Sequence, residues 1–172
     1  CTDKTGTLTL NEMTVREVLV NHAFLRVTGE GYATRGDFVD EGRGGARDPG
    51  GVPWMPALLE TGLLCNNSSL AVDPETGKAG ILGDPTEGSL LVLGAKAGID
   101  REALLAARPF VREIPFDSAR KMMTVVRTAG GRERAYVKGA PEILLSRCTR
   151  ILRDGVEQAL GEPDREAILS AT

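Results

Sequence analysis

Two stretches of strand-forming residues, 121–128 (KMMTVVRT) and 132–138 (RERAYVK), are separated only by Ala129-Gly130-Gly131. A connection that short can return the chain only as an antiparallel hairpin, because a parallel pair needs a crossover of about a dozen residues or more. The pattern recurs along the chain. Residues 13–20 (MTVREVLV) and 23–28 (AFLRVT) roughly alternate and are rich in Val, Leu and Thr. Short segments 69–72 and 79–82 flank the turn-forming Asp73-Pro74-Glu75-Thr76-Gly77, and Ile151–Leu152 and Val156–Gln158 flank Asp154-Gly155. Residues 109–115 (PFVREIP) form a further strand-like stretch. Helical patterns are interspersed without regular alternation: from Pro53 to Cys65, from Pro85 to Ala97, from Asp100 to Ala107, from Pro141 to near Cys148, and over 163–172. The expected fold class is α+β, a twisted antiparallel β-sheet with flanking helices. Between Gly29 and Gly51, eight glycines in 23 residues predict a long loop, pinned by a short strand at Asp37-Phe38-Val39.

Size and composition narrow the function classes. A chain of 172 residues has room for one well-filled domain, and no apolar run approaches the roughly 20 residues of a membrane helix. It opens on Cys1-Thr2-Asp3-Lys4, without an initiator Met or a signal peptide, so the expectation is a piece of a larger protein. Three cysteines without a CxxC pair, and a single histidine, His22, argue against a zinc site and for a reducing compartment. A net charge of −3 argues against a nucleic-acid partner. The charge is unevenly spread: Arg112 to Arg153 carries ten Lys or Arg against four Asp or Glu, while the remainder carries eleven against twenty. A basic segment in an acidic protein suggests a small anionic ligand.

Chemistry concentrates in four places. In Asp3-Lys4-Thr5-Gly6-Thr7-Leu8-Thr9, an aspartate followed by a Thr/Gly loop suits a carboxylate nucleophile that accepts a phosphoryl group. The charge of such a nucleophile repels phosphate unless Mg²⁺ bridges the two. In Gly83-Asp84-Pro85-Thr86-Glu87-Gly88, Asp84 suits an N-cap, Pro85 the first helical position and Glu87 the third, a capping-box arrangement. Pro115-Phe116-Asp117-Ser118-Ala119-Arg120-Lys121-Met122-Met123 sets an aromatic ring beside two cations, and Met122 and Met123 alternate so that one faces the core. In Lys138-Gly139-Ala140-Pro141-Glu142, a strand-end lysine precedes a glycine whose missing side chain lets a ligand approach the backbone. His22 and Trp54 read as ordinary structural residues. No G-x-x-x-x-G-K-[ST] and no G-x-G-x-x-G after a strand occurs, which excludes P-loop and Rossmann readings.

The DKTGTLT heptad matches the phosphorylation signature of P-type ATPases, and the rest of the chain resembles the nucleotide-binding (N) domain of their calcium-pump-like branch. Val27-Thr28-Gly29-Glu30-Gly31-Tyr32, Leu64-Cys65-Asn66-Asn67-Ser68, Gly83 to Leu90 and Lys138 to Glu142 follow in the family's order. The resemblance implies a stub of the phosphorylation domain over 1–12 and an N domain over 13–172. It implies that ATP phosphorylates Asp3, with Lys4 near the phosphate and Mg²⁺ held by Asp3 and the Thr5 carbonyl. It further implies nucleotide binding by Asp84, Thr86, Glu87 (at the adenine amine), Phe116 (stacking on adenine), Arg120, Lys121, Met123, Lys138 and Gly139. Ser118 stands where well-studied calcium pumps have arginine, which leaves phosphate contact to Arg120 or weakens it.

Neither the T-G-D nor the G-D-G-x-N-D segment of the phosphorylation domain occurs in the chain, so it is expected to bind ATP without turning it over. ATP and Mg²⁺ are the expected cofactors. The expected partners are ATP or ADP and the phosphorylation, actuator and transmembrane domains of one cation pump, with calcium favoured as cargo. The expected location is cytoplasmic, in an integral membrane protein, with no nucleic acid and no direct membrane contact. Two other readings are a stand-alone aspartate-nucleophile phosphatase of the haloacid dehalogenase superfamily and an interaction module with a dead nucleotide site. The missing later motifs count against the first, and intact Phe116, Lys121, Lys138 and Gly139 against the second.

Overall fold

A computed structural model describes residues 12–20, 23–72, 74, 77, 79–153 and 156–171. Asp3, Lys4 and Thr5 of the phosphorylation signature, and His22, lie outside the described residues. The chain divides into two compact units, Cys1–Arg101 and Glu102–Thr172. All the described strands pair antiparallel, distributed over four sheets. Among the described residues no helix is long and apolar enough to cross a membrane.

The first unit holds a meander of β1 (Glu17–Val20), β2 (Ala23–Val27), β3 (Phe38–Asp40) and β4 (Ala46–Arg47), paired in that order. The glycine-rich stretch is therefore shorter as a loop than its composition predicts. Val39 pairs with Ala46 and Phe38 with Arg47, so two of its residues close the sheet edge. Helix α1 (Met55–Leu64) begins later than expected. Trp54 takes a left-handed backbone (φ 67°), which ends any helix there, and Pro56 supplies the proline of the first turn. The hairpin β5 (Ser69–Val72) and β6 (Ala79–Leu82) has the expected bounds, and α2 (Pro85–Lys96) follows.

Burial explains the arrangement. Leu25, Val27 and Phe38 from the meander pack with Val52, Met55 and Leu59 around the start of α1 and with Leu93 of α2. A Cβ at Gly94 would come within 2.6 Å of Leu63, so glycine permits α1 and α2 to approach closely. Helix α2 is buried almost without interruption from Glu87 to Gly94, which makes it the central element of its unit rather than an amphipathic surface helix. At its C-terminal end Lys96 Nζ donates to the Thr28 carbonyl at 2.7 Å, and Arg16 donates to the adjacent Gly29 carbonyl at 3.0 Å. Partial burial, with the Arg16 charge adding to it, holds the Lys96 pKa below its ordinary value.

In the second unit, α3 (Arg101–Ala107) leads into a three-stranded sheet of β7 (Phe110–Asp117), β8 (Met122–Ala129) and β9 (Arg132–Gly139). Strand β8 is central, and Met122 and Met123 are both buried, so both faces of the sheet are covered there. Helix α4 (Pro141–Arg147) packs on β9, and α5 (Glu162–Ser170) packs on α4 after the hairpin β10 (Arg150–Arg153) and β11 (Val156–Ala159). Asp164 pairs with Arg153 and caps the Gly161 N–H at 3.1 Å, while Arg165 donates to the carbonyls of Leu145 and Cys148.

Leu25→Ala is expected to destabilise the first unit by about 2–5 kcal/mol, against a change within about 0.5 kcal/mol for Val72→Ala on the exposed face of β5, measured by denaturant unfolding. Lys96 sets the sign of a pH effect. Its folded pKa lies below 10.5, so over the window just beneath that value the unfolded chain binds more protons. Wild-type stability, relative to Lys96→Met, should therefore rise as pH climbs through that window.

Candidate functional site

The sequence motif at the start of α2 folds as an N-cap. Asp84 is extended, and its Oδ1 accepts from the Thr86 N–H at 2.8 Å and the Glu87 N–H at 3.1 Å, satisfying donors that the helix start would otherwise leave unpaired. Thr86 Oγ1 reaches back to Met13 Sδ at 3.5 Å. Glu87 is 9% exposed, and its Oε2 accepts from the Asn67 N–H at 2.8 Å and from Ser68 Oγ at 3.3 Å, across about 20 residues of chain. The carboxylate thus ties α2 to the loop that leaves α1.

That loop is a buried polar knot. Asn66 Nδ2 donates to the Gly62 carbonyl at 3.1 Å and to the Glu87 carbonyl at 2.8 Å, and its Oδ1 accepts the Ser68 N–H at 3.0 Å. Ser68 Oγ also donates to the Asp84 carbonyl at 3.1 Å, and Arg101 Nη2 donates to the Asn66 carbonyl at 3.3 Å. Gly83 has φ 120°, and a Cβ there would collide with Ser68 Oγ. The glycine that opens the motif is required by this contact. Asn66 and Ser68, 4% and 1% exposed, carry no function in a sequence reading, because a polar run after an apolar helix reads as a helix stop. The signal available was the pairing of that run with a helix start rich in acceptors.

The other candidate residues lie in the second unit, at one end of its sheet. Register partners are Asp117 with Met122, Met122 with Gly139, and Met123 with Lys138, so Met123 and Lys138 share a face. The ladder shifts between Ile114 and Asp117, where Pro115 lacks an N–H, and Phe116 emerges from this irregular stretch 63% exposed. An exposed ring here has no core role. Asp117 shapes the turn to β8: its Oδ1 accepts the N–H groups of Ala119 and Arg120, both at 2.9 Å, and its carbonyl accepts the Lys121 N–H at 2.7 Å. Lys121 then takes a left-handed backbone (φ 52°), which delays β8 to Met122.

Three cations lie at the same end of the sheet. Arg120 donates to Thr124 Oγ1 at 3.1 Å, and Lys121 meets Glu142 at 3.8 Å in a solvated pair of little energetic weight. Lys138 is partly buried opposite Met123. Gly139 has a reason that sequence reading misses. A Cβ there would strike the Lys121 carbonyl and lie 2.7 Å from Met122 Cβ, so the backbone that approaches it is that of β8. The Lys121 carbonyl in turn accepts the Ala140 N–H at 3.0 Å.

The structure therefore gathers Asp84, Thr86 and Glu87 in the unit ending at Arg101, and Phe116, Arg120, Lys121, Met123, Lys138 and Gly139 in the unit beginning at Glu102. An exposed apolar ring at a sheet end that also carries ammonium and guanidinium groups suits a ligand with a flat base and anionic groups. Among the described residues no three acidic, histidine or cysteine side chains gather as a metal site.

Comparison with known proteins gives one answer. Residues 54–172 match the family model described as P-type ATPase, cytoplasmic domain N. The chain is 41% identical over 169 residues to a calcium-transporting ATPase of Bacillus subtilis, an alignment covering 97% of this chain and 18% of that protein. It is 40% identical over 157 residues to the cation-transporting ATPase pma1 of Synechocystis, covering 90% and 17%. It is 35% identical over 171 residues to calcium-transporting ATPase 1 of Bacillus cereus, covering 99% and 17%. The chain thus spans under a fifth of the length of these relatives.

Gly83→Ala should destabilise the first unit by about 1–3 kcal/mol, because it adds a strained backbone to a collision with Ser68. Asp84→Ala should cost about 1 kcal/mol as a lost cap. Thermal unfolding of the two variants should rank them in that order.

Proposed function

The chain belongs to the P-type ATPase cytoplasmic N-domain family, and from that premise we propose that it binds the adenosine part of ATP for a cation pump, with calcium the favoured cargo. The observation that carries this reading is Phe116, 63% exposed at the sheet end shared by Lys121 and Lys138. A ring so exposed offers a face for adenine, and the cations at the same sheet end suit the phosphates. Arg120, Met123 and Gly139 complete that set, with Gly139 acting by letting β8 and β9 close together. Glu87 accepts a hydrogen bond from the adenine amine, and Asp84 and Thr86 fix the helix start that carries it.

In the whole pump Asp3 accepts the phosphoryl group from ATP, and Lys4 lies near the transferred phosphate. Mg²⁺, bound by the Asp3 carboxylate and the Thr5 carbonyl, would neutralise charge between nucleophile and phosphate. Residues 1–12 belong on this reading to the phosphorylation domain and 13–172 to the N domain. The phosphorylation, actuator and transmembrane domains are its partners, and its place is the cytoplasmic side of a membrane. By itself the chain holds nucleotide without hydrolysing it.

The test is an amide NMR titration of the 172-residue chain with AMP, ADP, ATP and GTP, with and without Mg²⁺. Shifts should cluster at Glu87, Phe116, Lys121 and Lys138, with adenine preferred and a dissociation constant of roughly 0.1–1 mM. Phe116→Ala should weaken ATP binding by about 1–3 kcal/mol, the value of one stacked base. The absence of any shift at millimolar ATP would sink the reading.

A further inference from the structure

The buried knot behind α2 assigns a role to a residue outside the proposed nucleotide set. We infer that Ser68 is a positioning residue for Glu87, fixing the carboxylate that discriminates adenine from 6-oxopurines. The inference rests on the proposed adenine contact of Glu87 and deepens it. The terminal torsion of a glutamate is broad, so an unrestrained carboxylate presents its oxygens over a wide range of directions. Here Oε2 is held from two sides, by the Asn67 N–H at 2.8 Å and by Ser68 Oγ at 3.3 Å. Two donors on one oxygen fix the plane of the group.

The two donors differ in kind. Asn67 contributes a backbone N–H, whose position follows from the loop. Ser68 contributes a hydroxyl whose single proton is divided between Glu87 Oε2 and the Asp84 carbonyl at 3.1 Å. The Asp84 carbonyl also accepts the Gly88 N–H at 2.9 Å, so it stays satisfied when the hydroxyl is removed. The loss in Ser68→Ala therefore falls on Glu87. Ser68 is itself 1% exposed, and Gly83 leaves its Oγ the space that a Cβ would fill. That space lets Oγ reach both acceptors.

The consequence is chemical. An anchored carboxylate accepts from the exocyclic amine of adenine and opposes the 6-oxo group of hypoxanthine or guanine, which offers only an acceptor. A site built to pair with a donor rejects a ligand that lacks it, provided the acceptor cannot swing away. Ser68 removes that freedom.

The experiment measures ATP and ITP binding by calorimetry to the 172-residue chain and to Ser68→Ala, Ser68→Cys and Leu59→Ala, alongside thermal unfolding. Wild type should prefer ATP. Ser68→Ala should reduce the ATP-over-ITP ratio roughly five- to tenfold, the net effect of one ordinary hydrogen bond, through weaker ATP binding and not through tighter ITP binding. Ser68→Cys, which is slightly larger and keeps a weaker donor, should fall between, and it carries the test if the alanine variant does not fold. Leu59→Ala, a core change in the same unit, should lower the melting temperature and leave the ratio alone. An unchanged ratio in Ser68→Ala and Ser68→Cys overturns the inference. If wild type binds ATP and ITP alike while Phe116→Ala weakens both, nucleotide binding stands and the Ser68–Glu87 assignment falls. If wild type binds neither, both readings fall together.

Discussion

A carboxylate buried as deeply as that of Glu87 is costly unless donors meet it, and much of the first unit is arranged to supply them. The Asn67 N–H and the Ser68 hydroxyl arrive only because α1 stops at Leu64 and the chain turns sharply back toward α2. Asn66 holds that turn by joining the Gly62 and Glu87 carbonyls. Ser68 can come close only because residue 83 has no side chain, and Asp84 then caps the helix that carries Glu87. One ionisable group thus links a helix end, a loop, a glycine and a helix start.

The second unit solves a different problem, that of presenting a ring and cations from a hairpin sheet. Central strand β8 is buried on both faces, so what the sheet presents lies where its ladder ends or slips. Pro115 interrupts the ladder, Asp117 folds the turn around its own carboxylate, and Lys121 accepts a left-handed backbone to re-enter the sheet. Gly139 allows β9 to close against the Lys121 carbonyl. The exposed Phe116 is what that chain of local choices leaves outside.

Much of this was legible beforehand, and the failures have identifiable causes. Strands 69–72 and 79–82 have their expected bounds because turn residues delimit them on the inside and a helix stop and Gly83 on the outside. The cap at Asp84 follows from residue type alone. The start of α1 was misplaced because Pro53 and Pro56 offer the same local signal, and the choice between them rests on the backbone of Trp54. Strand β4 was hidden because two residues carry no periodicity and exist as a strand only against Phe38 and Val39.

The sequence by itself determined the antiparallel α+β class and the helix starts at Pro85 and Pro141. Those properties depend on neighbours in the chain: turn lengths, caps and the chemical identity of each group. Only the tertiary structure decided that Asn66 and Ser68 close on Glu87, that Gly139 makes room for β8, and that Phe116 is exposed while Met122 and Met123 are both buried. Each of these depends on which distant segment arrives beside the residue. Burial and hydrogen bonding between segments some 20 residues apart settle that, and local pattern does not encode it.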